Sequence, residues 1–167
     1  MADTIALMRK RVLNMAICGE LVEQRPEELI VEILKEENKI ENGEVPFSIP
    51  ENWVWSRLGK IAINHDSKRR PVSLKDRIDQ EKIYSYYGAT GEIDKVENYL
   101  FNGLFLLIGE DGGNFCTEKD NSFIVEGKFW ANNHVHVLQF DQLIEIRYML
   151  YFMNSLNFPE MDLITGI

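Results

Sequence analysis

The first hydrophobic pattern in the chain has the spacing of a helix. Between residues 4 and 17, apolar side chains recur at every third or fourth position, as in an amphipathic helix, and Gly19 is placed to end it. A second helix is predicted to begin at Pro26, a residue favoured in the first turn, and to end near Gly43. The apolar positions of the first helix are Ile5, Met8, Val12, Met15 and Ala16.

The pattern changes after residue 45, where Pro46 and Pro50 require an extended path. Beyond them, four segments rich in aromatic and β-branched residues are bounded by Gly, Asn and Asp, which is typical of strands. Helical spacing returns over residues 142–156. The predicted strands span residues 83–87, 99–108, 122–125 and 129–140.

These elements predict two regions. Residues 1–45 form a helical segment that is expected to bind a partner or to pack against the rest of the chain. Residues 46–167 form a β-rich domain with a mostly antiparallel sheet and a C-terminal helix, an α+β arrangement within the broader α/β class. The 167 residues, 45% of them hydrophobic, are enough for a real core. No apolar run approaches the roughly 20 residues of a membrane span, and the first residues lack a signal-peptide pattern. We therefore expect a cytoplasmic protein with no membrane partner.

Charge is distributed unevenly along the chain. The net charge of −9 argues against a nucleic-acid partner, because phosphate contacts require Lys and Arg. Between residues 52 and 82, however, eight basic residues outnumber four acidic ones, whereas residues 20–51 contain ten acidic and three basic residues. An acidic chain can therefore carry one basic face. Solvated surface is the alternative explanation for both runs.

The densest group of cations is SKRRPVSLKDR, which begins at Ser67 and is soon followed by YSYYG. Cations beside aromatic and hydrogen-bonding side chains can hold phosphates and contact base edges. A solvated loop is the simpler alternative. Because neighbouring strand residues face opposite sides, at least one of Tyr84, Tyr86 and Tyr87 is expected in the core.

The glycine-rich sequence GEDGGNF, from Gly109, has two interpretations. A phosphate cradle is rejected because Glu110 and Asp111 would repel the anion, so a turn between strands is predicted. Alternatively, Asp111 could combine with Glu126 and Lys128 into a metal-dependent nuclease site, with the lysine positioning water. The sequence EGK at residues 126–128 is equally typical of a polar hairpin.

Other candidates for chemistry are weaker. His134 and His136 are predicted to share one face of a strand, but two ligands do not complete a metal site. Cys18 and Cys116 are remote in sequence and suggest neither a disulfide framework nor a zinc site. Nucleophile-elbow, Walker and amino-methyltransferase signatures are missing from the sequence. We predict no catalytic residue, metal or cofactor in this chain.

Taken in order, five segments resemble a target recognition domain of the DNA specificity (S) subunit of type I restriction–modification enzymes. The resemblance extends from Ile49 to Ile167, and ICGELV at residues 17–22 resembles the segment that precedes such domains. The five segments are IPENWVWSRLGKI, KRRP, YYGATGEID, YLFNGLFLLIGEDGGNF and GKFWANNHVHVL.

The resemblance implies a non-catalytic module that recognises one half of a split target in double-stranded DNA, for bacterial defence. In that family, methyltransferase (M) subunits flip the target adenine and use S-adenosylmethionine, and a restriction (R) subunit supplies ATP- and Mg-dependent translocation and cleavage. Family members carry two recognition domains. With one domain, this chain is expected to be a fragment, a truncation or a half-subunit that pairs with a second copy.

The resemblance and the local chemistry together nominate nine DNA-contacting residues. Three are basic and suit phosphates or the major groove, three surround the YYGATG turn, and three lie in WANNHV. Two rival functions stay open: the nuclease built on Asp111, Glu126 and Lys128, and an acidic protein-interaction module that binds no DNA. The nine residues are Lys68, Arg69, Arg70, Tyr86, Tyr87, Thr90, Asn132, Asn133 and His134.

Overall fold

The computed structural model describes residues 2–24, 45–110, 120–141 and 144–156. The chain divides into two compact units, Met1–Ile61 and Ala62–Ile167. The helix predicted over residues 26–43 lies outside the described residues, as does the GEDGGNF loop beyond Glu110. The functional boundary predicted at residue 45 stays a prediction. No helix in the described part of the chain is long and apolar enough to cross a membrane.

The first unit contains helix α1, Ala2–Ile17, and the short helix α2, Leu58–Ile61. Helix α1 ends where predicted, because Gly19 adopts a φ of 74° and its N–H and the next one donate back to carbonyls of the last turn. Gln24 Nε2 then donates to the Gly19 carbonyl at 2.7 Å, and Trp53 Nε1 donates to Gln24 Oε1 at 2.8 Å. These bonds tie the end of α1 to the proline-flanked segment.

The second unit is built on a six-stranded sheet with the order β1-β6-β4-β5-β2-β3. Strands β2 and β5 pair in parallel, and every other neighbouring pair is antiparallel, so the predicted α+β fold with a mostly antiparallel sheet is confirmed. The strands are β1 Ala62–Asn64, β2 Tyr84–Gly88, β3 Gly91–Val96, β4 Phe101–Gly109, β5 Ser122–Ala131 and β6 Val135–Phe140. The helices are a 3-10 turn Asp66–Lys68, α3 Leu74–Ile78 and α4 Ile146–Ser155.

Strand β4 has two partners that run parallel to each other. Phe101 lies opposite Phe129 of β5, and eight residues further on Gly109 lies opposite Val135 of β6. Parallel strands usually need a crossover of about a dozen residues, yet only residues 132–134 link β5 to β6. Such a link reaches about 14 Å, whereas eight residues of straight strand span roughly 26 Å. The sheet must therefore be strongly curled.

A pair of glycines lies within this curl. Gly103 of β4 is directly opposite Gly127 of β5, and their φ values are 147° and 92°. Side-chain-bearing residues rarely adopt such values, and glycines of this kind mark bulges and tight bends in sheets. We conclude that β4 and β5 bend together at this pair.

The hydrophobic core lies among β4, β5 and β6. Phe129 is fully buried, stacks on Phe101 with 5.0 Å between ring centroids, and meets Phe105 edge-on at 5.5 Å. Because burial of an aromatic ring removes a large apolar area from water, this group dominates the stability of the unit. The other buried members are Leu107, Val125, Ala131, Val135 and Val137.

Helix α4 is fixed to the sheet by apolar and polar contacts. Met149 and Met153 are its buried residues, and the helix packs against β5 and β4. Asn154 Oδ1 accepts from the N–H groups of Asn121 and Ser122 at 3.1 and 2.8 Å, and its Nδ2 donates to the Ser122 carbonyl at 3.1 Å. One side chain therefore satisfies the backbone where β5 begins.

Several predicted boundaries are wrong. The hairpin predicted at EGK does not form, because β5 continues through Gly127, which bends the ladder without ending it. The turn lies instead at residues 132–134, where the N–H of His134 donates to Asn132 Oδ1 at 2.9 Å, so His134 is not on a strand with His136. Strands β1 and β3 and helix α3 were not predicted.

Candidate nucleic-acid interface

The basic segment, residues 65–73, connects β1 to α3 and lies against two inner strands of the sheet. The N–H of Arg70 donates to the Ala131 carbonyl at 3.1 Å, and the Arg70 carbonyl accepts from Trp130 Nε1 at 2.7 Å. Two residues later, the N–H of Val72 donates to the Tyr86 hydroxyl at 2.9 Å. Strands β2 and β5, remote in sequence, therefore fix the path of this segment.

Arg69 points from the basic segment into the protein. Its Nη1 donates to the Glu110 carboxylate at 2.8 Å and to the carbonyls of Val135 and Asn133 at 3.1 and 3.3 Å. Its Nε donates to the Asp66 carbonyl at 3.1 Å. Only 15% of the side chain is exposed. Arg69 thus joins the basic segment to the β5–β6 turn and to the end of β4.

An acidic and an imidazole side chain complete this network. The Asp66 carboxylate accepts from His136 Nδ1 at 2.6 Å, from the Val137 N–H at 2.9 Å and from Asn64 Nδ2 at 3.1 Å. Burial acts to raise the pKa of Asp66, but these hydrogen bonds outweigh it and the pKa lies below its usual value. The hydrogen bond to Asp66 raises the pKa of His136, against partial burial, which lowers it. The pair therefore favours the carboxylate and imidazolium forms.

The nine residues predicted to contact DNA differ in exposure. Five are exposed, and all of them lie outside the β-strands: Lys68, Arg70, Thr90, Asn133 and His134. The other four are buried or partly buried: Arg69, Tyr86, Tyr87 and Asn132.

The end of β2 and the β5–β6 turn lie close together. The N–H of Asn132 donates to the Tyr87 carbonyl at 3.0 Å, and a Cβ added at Gly88 would lie 3.2 Å from Asn132 Nδ2. Thr90 follows in the β2–β3 turn, and within the described residues no hydrogen bond joins its side chain to the basic segment. Tyr87 packs its ring on the core, 5.7 Å from that of Phe129.

Tyr86 is 2% exposed and supports the far side of the basic segment. The guanidinium of Arg77, in α3, lies 4.7 Å above its ring. Arg77 Nη1 and Lys82 Nζ both reach the Asp94 carboxylate, at 2.9 and 3.1 Å. These contacts join α3, which directly follows the basic segment, to β2 and β3.

The residues of the nuclease alternative are only partly described. Asp111 lies outside the described residues, while Glu126 and Lys128 are exposed on β5. Lys128 Nζ lies 4.7 Å from the ring centroid of Tyr99 and 6.0 Å from that of Tyr84. Across the portions of the chain that the structure covers, no three His, Cys, Asp or Glu side chains are grouped as metal ligands.

Sequence reasoning missed the network around Arg69. The sequence pattern presents Asp66 only as a charge, Glu110 only as an acid in a bend, and His136 only as one of two candidate metal ligands on a strand. The Arg69–Glu110 and Asp66–His136 contacts join residues 41 and 70 positions apart, which no local spacing encodes. One local signal is the sequence NHDS, in which Asn64 Oδ1 accepts from the Asp66 N–H at 2.7 Å.

Fold and site together define an α+β domain with a basic segment anchored on its strand ends. Comparison with known proteins adds the family. The sequence profile described as "Type I restriction modification DNA specificity domain" matches residues 50–163. The chain belongs to this family.

Individual relatives carry related names. A protein of Haemophilus influenzae that is assigned as the type I restriction enzyme specificity subunit S.HindORF215P is 36% identical over 104 residues, which are 62% of this chain and 26% of the relative. The EcoEI specificity subunit of Escherichia coli is 27% identical over 107 residues, 52% of this chain and 18% of the relative. The matches thus cover about a quarter or less of these relatives.

A solved structure also aligns with the chain. The HsdS subunit from Thermoanaerobacter tengcongensis aligns with a TM-score of 0.48 at 16% identity, covering 98% of this chain and 42% of that one.

Proposed function

We propose that this chain binds double-stranded DNA and recognises one half-site of a split target, as part of the specificity subunit of a type I restriction–modification complex. Family membership over residues 50–163 supports this function. The observation that carries it is the anchored basic segment, whose exposed Lys68 and Arg70 flank the partly buried Arg69. Two exposed cations held on a fixed backbone suit the phosphates of a duplex.

The nine nominated residues take two kinds of role in this proposal. The exposed ones contact DNA: Lys68 and Arg70 bind phosphates, and the polar side chains of Thr90, Asn133 and His134 face base edges or sugar–phosphate. The buried and partly buried ones hold that surface in place. These are Arg69, Tyr86, Tyr87 and Asn132.

The partners and cofactors in the proposal follow from the family. The chain itself is non-catalytic and holds no cofactor, while methyltransferase subunits with S-adenosylmethionine modify the target and a restriction subunit with ATP and Mg cleaves DNA. Pairing with a second copy would supply the other half-site. The N-terminal helical segment is the proposed contact for methyltransferase subunits, and α1 offers apolar residues such as Met8, 63% exposed, for such a contact.

The test is duplex binding by single-residue variants. Fluorescence anisotropy with a labelled duplex pool, at several salt concentrations, compares the wild type with Lys68→Ala, Arg70→Ala and the charge-matched control Lys95→Ala, an exposed residue of β3. Each phosphate-contact variant should weaken binding to all sequences and reduce the salt slope by about one. The control should match the wild type.

The same assay separates the rival functions. Equal binding by all four proteins would refute the assignment of the basic segment. A chain that forms a complex with the methyltransferase subunit and binds no duplex at low salt would instead be a protein-interaction module. Mg-dependent cleavage of plain duplex, lost in Lys128→Ala, would restore the nuclease alternative.

A further inference from the structure

We propose that Asp66 is the positioning residue of the DNA-binding surface: it orients Lys68 and Arg70 and does not itself contact DNA. The inference rests on the proposed function, which gives those two cations their role. It adds a residue that neither the sequence pattern nor the family match assigns. An acid inside a phosphate-binding segment would otherwise only oppose binding.

Asp66 binds the strand on which the segment rests. One carboxylate oxygen accepts from the Val137 N–H at 2.9 Å and the other from His136 Nδ1 at 2.6 Å, both on β6. The neighbouring residue makes a further bond to Val137, since the N–H of His65 donates to the Val137 carbonyl at 2.9 Å. The side chain is 17% exposed, so water competes little for these bonds.

Asp66 is also the first residue of the 3-10 turn that leads to Lys68 and Arg70. Its carbonyl accepts from the Arg69 N–H at 3.0 Å and from Arg69 Nε at 3.1 Å. Arg69 in turn holds Glu110 and the β5–β6 turn, and the next residue, Arg70, is bonded to β5 through its backbone. Lys68 and Arg70 therefore lie on a short stretch of backbone that hydrogen bonds fix at Asp66 and at Arg70.

The charge of Asp66 allows a test, because a field effect and a positioning effect predict changes of opposite sign in DNA affinity. If Asp66 acts on DNA only through its field, replacing it with Asn removes a negative charge near phosphates and tightens binding. If it acts by positioning, the same replacement weakens the bonds to β6, misplaces the cations and loosens binding. The sign of the change in affinity decides between the two.

His136 links the surface to pH. Its imidazole is faced by Asp66 on the 3-10 turn, by Glu110 after β4 at 3.6 Å, and by Arg69. Loss of its proton weakens the bond to Asp66, so DNA affinity should fall as pH rises through the His136 transition. In Asp66→Asn that transition should lie at lower pH, because the carboxylate that favours the imidazolium is gone. A residue needed only for folding would not move this profile.

The experiment measures duplex affinity for the wild type, Asp66→Asn, Asp66→Glu and Asp79→Asn between pH 6 and 9, with thermal melts to confirm folding. Asp79 is the control, since it is an exposed acid that also lies within the net-basic stretch of residues 52–82. Asp66→Asn should bind about tenfold more weakly, the loss expected when phosphate contacts are misplaced. Asp79→Asn should bind as well as the wild type or slightly better.

Asp66→Glu keeps the charge and changes only the geometry, so a loss of affinity there supports positioning even if Asp66→Asn does not fold. Folded Asp66 variants that bind as tightly as the wild type, or more tightly, overturn the inference while the proposed function stands. A wild-type chain that binds no duplex, with or without its methyltransferase subunit, overturns the proposed function and the inference with it.

Discussion

The curled sheet depends on two glycines, and replacing them tests that geometry. Gly127 has a φ of 92°, and a Cβ added there meets nothing within 4 Å, so Gly127→Ala isolates the backbone cost. A residue forced into such a region costs on the order of 1–3 kcal/mol. At Gly103 the φ is 147° and the added Cβ would lie 3.2 Å from the Phe105 ring, so steric conflict adds to strain.

Thermal melts check the expected order of stability. A loss of about 2 kcal/mol lowers the Tm of a unit the size of Ala62–Ile167 by roughly 9 °C. Gly103→Ala should lower the Tm most and Gly127→Ala next. Gly59, in α2, has an ordinary backbone and open space, so Gly59→Ala should leave the Tm unchanged or raise it. If Gly127→Ala had the same Tm as Gly59→Ala, the strained bend at Gly127 would be refuted.

Three further predictions concern single side chains. Tyr86→Phe should lower the free energy of unfolding by about 1 kcal/mol in urea titrations, because the Val72 N–H loses its acceptor; an unchanged midpoint would contradict this. Asn154→Ala removes three hydrogen bonds where β5 begins and should cost roughly 2–3 kcal/mol, and a loss near zero would argue against that anchor. Finally, the pKa of His136 is raised from 6.5, so its contribution to the stability of the fold is complete below that pH and is lost as pH rises through the raised pKa. The contribution of Asp66 has the opposite sign, because its pKa is lowered, and it is lost as pH falls through that lowered pKa. The stability gap between wild type and His136→Gln should therefore shrink from pH 6 to pH 9, and a constant gap would speak against the pair.

The sequence predicts the elements whose pattern is local. Helix α1 has regular apolar spacing and a glycine at its end, and both are observed. The core strands β4 and β5 were found from their aromatic and β-branched residues, although the end of β5 was placed wrongly. Gly127 explains that error, because a glycine in a polar tripeptide is typical of a turn and only its pairing with Gly103 shows that it bends a continuous strand.

The candidate site was predictable only in part. The cations Lys68 and Arg70 stand out in sequence and are exposed in the structure. The inward direction of Arg69 was not predictable, because Glu110 and the β5–β6 turn reach it only after the sheet has curled. The edge strands β1 and β3 were missed for a related reason: β1 has only three residues, β3 is rich in charged residues, and their partners in the sheet define both strands.

Sequence-specific recognition of duplex DNA by this chain can be tested in one selection experiment. The chain, mixed with the methyltransferase subunit proposed as its partner, is used to enrich a random duplex library that is then sequenced, with Arg70→Ala and Lys95→Ala in parallel. Sequence-specific recognition predicts one short enriched motif, recovered equally by Lys95→Ala and with lower yield but the same sequence by Arg70→Ala. A complex that forms and enriches no motif would contradict sequence-specific recognition. Recovery of the motif with undiminished yield by Arg70→Ala would contradict the role of that residue.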